Sequence, residues 1–239
     1  MSTVYKKEMS QYICTLPGWI FAVGFLFSGG LLFSSYNILQ KSMDLKPLWH
    51  GLEYVLLLLT PVLTMRLVAG ERSNKTDMML LTAPVSSWSV TAAKFLSALS
   101  VFAFVLLISL LYPLILSVNG TPAWAQILTG YLGLFLFGMS AIAIGMFVSS
   151  LMKRPLPALL SALGVMILIM LIDSAVSWLK AGVIKSVVLW AAPLSNGAYF
   201  LNGFLNIPSI VYFISVTLLF IVLTVRSLEH AKWSKGRRT

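Results

Sequence analysis

Between Lys94 and Lys153 the chain carries no charged side chain. An apolar run of that length exceeds one membrane crossing of about 20 residues, so a turn must divide it. Asn119-Gly120-Thr121-Pro122 is the strong turn signal within it, and the interval reads as a helical hairpin with spans over 89–118 and 123–150. Composition extends this reading to the whole chain. Of its 239 residues 59% are hydrophobic and 10% charged, against roughly 45–50% and about 25% in a soluble domain. The expected fold is therefore all-α, a single polytopic transmembrane domain. Seven acidic residues leave too little carboxylate for a typical acid/base or metal site, and one cysteine, Cys14, excludes an internal disulfide or a cysteine metal cluster.

Four more spans follow from the uncharged intervals: 17–39, 48–69, 156–179 and 208–225. The first starts too late and runs too long for a cleaved signal peptide. Glu53, Arg66 and Asp173 fall inside these spans but near their ends, where interface snorkelling accounts for each. Lys6, Lys7, Arg66, Arg72, Lys75, Lys94, Lys153, Arg154 and the tail with Arg226, Lys232, Lys235, Arg237 and Arg238 share one side, 13 of the 17 basic residues. By the positive-inside rule both termini are expected on the cytoplasmic side of a multi-pass protein, with the bacterial cytoplasmic membrane as its expected location. Topology thus explains the net charge of +10 without a nucleic-acid partner.

The non-spanning pieces carry more information. Residues 1–16 place Val4, Tyr5, Met9, Tyr12, Ile13 and Leu16 on one helical face and Lys6, Lys7, Glu8, Ser10 and Gln11 opposite, which suits a helix lying in the interface. Tyr5, Lys6, Lys7 and Tyr12 are its expected membrane anchors; a second reading has this elbow also bordering a cytoplasmic partner. In the cytoplasmic segment 71–86, Asn74 with Asp77 approximates a capping box and Pro84 ends the helix it starts. That short helix shows Met78, Met79, Leu80 and Leu81 beside Arg72, Lys75 and Asp77, a surface able to enter a groove on another protein or to lie on the membrane.

Gly70 to Thr76 fails as a phosphate loop, because the second glycine is missing, the spacing is one residue short and no strand precedes it. The chain therefore has no nucleotide-binding motif and no catalytic residues, and any ATP it uses is bound elsewhere. Residues 180–207 are too long for a plain connection and too apolar for a solvated one. Val183 to Leu194 and Ala198 to Ile207, separated at Pro193 and Ser195-Asn196-Gly197, read either as two helices re-entering the outer leaflet or as a pair lying on the surface. Ala141, Gly145 and Ser149 form a small-residue stripe for close helix packing. Pro61 and Pro113 are expected to kink their helices and free the carbonyls of Leu57 and Ser109. His50 and His230 are separate, so no metal site is expected.

With an elbow helix, six spans, a cytoplasmic helix after the second and a long apolar outer loop, the chain resembles the membrane subunit of type-2 ABC exporters. Glu71-Arg72, Thr76-Asp77 and Leu80-Leu81-Thr82-Ala83-Pro84-Val85-Ser86 are similar to the coupling-helix signature of permeases grouped with the gliding-motility ABC transporter. Tyr5-Lys6-Lys7-Glu8 with Pro17-Gly18-Trp19-Ile20-Phe21 is similar to that group's elbow, and Thr129-Gly130-Tyr131-Leu132-Gly133-Leu134 with Ala143-Ile144-Gly145 and Ser149-Ser150-Leu151 to its fourth helix. Lys75 and Met78 stand where many members have glycine and a polar residue.

The resemblance implies a half-transporter with two cytoplasmic ATPases, which bind ATP and Mg, and a second permease, identical or homologous, embedded in membrane lipid. It implies ATPase coupling through Glu71, Arg72, Thr76, Asp77, Leu80, Leu81 and Pro84. The absence of mid-membrane charge points to a lipophilic or amphipathic export cargo. The alternative is an ATP-driven mechanical or assembly complex acting on an envelope partner without soluble cargo.

Overall fold

The computed structural model describes residues 2–73, 86–119, 123–178 and 192–236. Among them every regular element is helical: α1 (Ser2–Cys14), α2 (Leu16–Phe33), which runs on into a π-helical turn (Ser34–Ile38), α3 (Lys46–Thr64), α4 (Ala69–Ser73), α5 (Ser87–Ser109), α6 (Leu111–Asn119), α7 (Trp124–Leu151), α8 (Pro155–Trp178), α9 (Pro193–Leu201) and α10 (Ile207–Gly236). Six helical stretches are long and apolar enough to cross a membrane: Leu16–Ile38, Lys46–Ser73, Ser87–Val118, Trp124–Leu151, Pro155–Ser174 and Ile207–His230.

α7 is the axis of the bundle. The structure buries 78% of its most apolar window, against 17–33% in the spans built on α2, α5, α8 and α10. A helix apolar on all sides has no face to offer water, and α7 is accordingly packed against α3, α5, α8, α9 and α10. Its glycines set the spacing. The Trp49 indole lies on Gly130, where a Cβ would come within 2.8 Å of the ring, and the Phe102 ring fills the space left by Gly138. Phe102 in turn meets Phe21 and Phe25 of α2 edge-on and stacks on Phe135, which ties α2, α5 and α7 into one aromatic layer.

The two internal prolines behave differently. α3 continues through Pro61 to Thr64. The third span breaks between Ser109 and Leu111, one turn before Pro113, and the carbonyl of Ser109 that this proline leaves without a helical donor accepts the Tyr131 hydroxyl at 2.8 Å. The break that ends α3 is stapled from its neighbours. Tyr12 donates to the Leu63 carbonyl (3.0 Å), and Ser149 donates to that of Met65 (3.3 Å) while accepting from the N–H groups of Val68 (3.4 Å) and Ala69 (3.2 Å). These contacts satisfy orphan groups of two helix ends inside the protein.

The outer connection departs from expectation. Pro193 and Ser195-Asn196-Gly197, read as a break between two helices, instead begin α9. Proline is compatible with the first helical turn, where its missing N–H costs nothing, and the Asp173 carboxylate accepts from the backbone N–H (3.2 Å) and hydroxyl (2.8 Å) of Ser195. Phe200 is fully buried against Gly133 of α7.

Candidate functional site

The most polar buried assembly lies where α1, α4 and α5 meet. Ser86 caps α5 by accepting the Ser89 N–H at 3.2 Å, and two turns later Lys94 points inward with 1% of its surface exposed. Its Nζ lies 2.8 Å from Glu8 Oε1 on α1 and 3.0 Å from Glu71 Oε1 on α4. Lys7 stands 3.8 Å from the same Glu71 oxygen. Two carboxylates against Lys94 and Lys7 leave the group close to neutral, which is the condition for burying charges at a membrane interface. A second clasp joins Tyr5 of α1 to Ser100 of α5 through their hydroxyls, 2.9 Å apart. Burial, and secondarily the Glu8 carboxylate, push the Tyr12 phenol well above its usual pKa, so it stays neutral and serves as the donor to Leu63.

Beside this group a cleft of about 260 Å³ runs between α1 and the end of the second span, with Lys7, Gln11 and Thr15 on one wall and Arg66, Gly70 and Glu71 on the other. The sequence-predicted residues divide around it. Lys6 and Lys7 are exposed, whereas Tyr5 and Tyr12 are engaged with α5 and α3. Glu8, which the helical pattern put on the polar face, is buried by Lys94, and Ile13 and Leu16 of the apolar face are exposed. Glu71 and Arg72 lie on α4, Glu71 inside the ion-pair group. Thr76, Asp77, Leu80, Leu81 and Pro84 lie outside the described residues. Gly145 lies against Thr64 and Ser149 on the α3–α4 break, both at the end of the second span, and Ala141 is buried on α7. Lys94 is the residue that sequence reasoning missed; its depth, two turns into a long apolar helix, is the signal that could have found it.

A second cluster occupies the opposite end of the bundle. Glu53 of α3, expected to snorkel, is instead completely buried, with Oε2 3.5 Å from Nδ1 of the half-exposed His50. The carboxylate faces Gly197 of α9, where a Cβ would lie 2.6 Å from Oε1. Arg66 is exposed, in keeping with an interfacial position, and Asp173 is spent on α9. Among the described residues no three His, Cys, Asp or Glu side chains are grouped to hold a metal ion.

A family model described as ABC-2 family transporter protein matches residues 52–227, from the second span through most of α10. No curated protein matches the chain.

Proposed function

Because the chain belongs to the ABC-2 family of transporter proteins, as a multi-pass membrane permease subunit, we propose that it is an exporter half in which a separate ATPase drives a lipophilic or amphipathic substrate across the cytoplasmic membrane. The observation that carries the coupling is the Glu8–Lys94–Glu71 group. Residues 74–85 join the helix of Glu71 to the helix of Lys94. A push on that segment is therefore delivered to α4, α5 and α1 together, because a buried ion pair between them resists separation. In this reading two cytoplasmic ATPases, holding ATP and Mg, seat on Arg72, Thr76, Asp77, Leu80, Leu81 and Pro84, while Glu71 anchors the segment to the bundle. The likeness to gliding-motility-type permeases in this segment belongs to the same proposal.

A second permease, identical or homologous, completes the pathway. The support is α8, whose span is the least buried of the six. Leu160, Ile167 and Leu171 are exposed on it at helical spacing around Gly164, which has open space beside it. The coupling is tested by purifying the chain with its ATPase and measuring hydrolysis in liposomes. Lys94→Met is expected to lower hydrolysis toward the rate of the ATPase alone. An ATPase that fails to co-purify, or a Lys94→Met complex with the wild-type rate, overturns the reading.

A further inference from the structure

We propose that Glu53 anchors the positive charge of a lipophilic cation, which makes such cations the cargo class of this permease; the cargo part rests on the permease reading above. Glu53 has no exposed surface, and neither of its carboxylate oxygens has a hydrogen-bond partner. His50 Nδ1 stands 3.5 Å from Oε2, an ion-pair distance only when the imidazole is protonated. One turn earlier on α3 the Trp49 indole, 1% exposed, also leaves its Nε1 without a partner. A carboxylate buried in a membrane span with no hydrogen bond is expensive, and that cost points to a ligand.

The surroundings select the ligand's charge. Asp173 holds Ser195 of α9, two residues from the Gly197 that Glu53 faces, so both carboxylates meet the start of the same helix. Two carboxylates at the start of α9 beside one imidazole disfavour an anion at this spot, and a neutral amphipath does not need them. One turn from Glu53, Trp49 packs edge to face with Tyr131, centroids 6.3 Å apart, an aromatic pair of the kind that suits a large soft cation once the helices part. Half-exposed His50 marks the approach, and Gly197 of α9 closes the carboxylate from the other side without a side chain of its own. Parting α9 from α3 uncovers Glu53 directly.

The test uses the full-length chain in phosphatidylcholine nanodiscs without ATPase, with tetraphenylphosphonium as probe and tetraphenylborate as its isosteric anion. The wild type is expected to bind the cation saturably and to show no saturable site for the anion. Glu53→Gln, which keeps side-chain size, is expected to weaken cation binding roughly tenfold or more. His50→Gln, at a half-exposed position, is expected to bind the cation at least as tightly as the wild type. A wild type without saturable cation binding overturns the proposal whatever the variants do, as does a folded Glu53→Gln protein that binds like the wild type, or equal binding of the two ions. Cation binding in a chain that couples to no ATPase leaves the site standing and removes the permease reading; coupling without cation binding removes the cargo class alone.

Discussion

An ammonium buried in a membrane helix persists only with carboxylates in contact, and Lys94 has two. Replacing it with methionine, similar in length and uncharged, leaves Glu8 and Glu71 without the ammonium that lies between them. We expect Lys94→Met to cost about 3–5 kcal/mol, the usual penalty for orphaning a buried partner. Adding Glu8→Gln and Glu71→Gln to the same chain should recover most of that loss. Thermal unfolding of the single and triple variants in nanodiscs checks this, and additive losses would mean that the three groups are not coupled. Of the carboxylates, Glu8→Gln should cost more than Glu71→Gln, because the Glu71 side chain keeps 15% of its exposure and has Lys7 nearby. Helical periodicity could not reveal this group. Alone, α1 puts Glu8 beside Lys6 and Lys7, and the buried position exists only once α5, some 86 residues away, supplies Lys94.

At the scale of elements, α7 shows which signals in the sequence were legible. Span lengths follow from hydrophobic runs, which is why six crossings can be read from the charge-free intervals alone. Of the small residues at positions 141, 145 and 149, Gly145 lies against Thr64 and Ser149 against the α3–α4 break. A Cβ on Gly145 presses on the Thr64 hydroxyl, and Thr64 has little room to yield, being β-branched and bonded to the Thr60 carbonyl at 3.0 Å. Gly145→Ala is therefore expected to destabilise by about 1–3 kcal/mol, the range for overpacking. Gly30→Ala on α2 is the control. Its added carbon meets a single atom, the Tyr112 hydroxyl at 4.0 Å, so removing a mid-helix glycine should stabilise by about 0.5–1 kcal/mol. Unfolding midpoints that move in opposite directions confirm the packing; equal shifts contradict it. Local rules failed at α9 because Pro193 and Gly197 are breakers in isolation. What makes them part of a helix is tertiary, namely Asp173 receiving the Ser195 N–H and Glu53 occupying the space beside Gly197.

For the whole molecule, the question is which end faces the cytoplasm. The structure gathers α1, the α3–α4 break, the start of α5 and the end of α7 at one end, where Ser227 of α10 also donates to the Ser150 carbonyl. The starts of α3 and α7, the end of α8 and α9 form the other, joined by Glu53, Asp173 and the Gln126–Leu201 contact. Lysine and arginine favour the first end 13 to 4 by the topology read from the sequence, and short basic loops stay on the cytoplasmic side during insertion. With Cys14 replaced by serine, a cysteine at exposed Met43, between α2 and α3, should react with a membrane-impermeant maleimide in intact cells. A cysteine at exposed Lys153, between α7 and α8, should react only after permeabilisation. The reverse pattern would place the Glu8–Lys94–Glu71 group outside, beyond the reach of any cytoplasmic ATPase, and would turn Glu53 toward the cytoplasm. Sidedness is thus the premise on which both the coupling end and the cation end acquire their meaning, and two labelling reactions decide it.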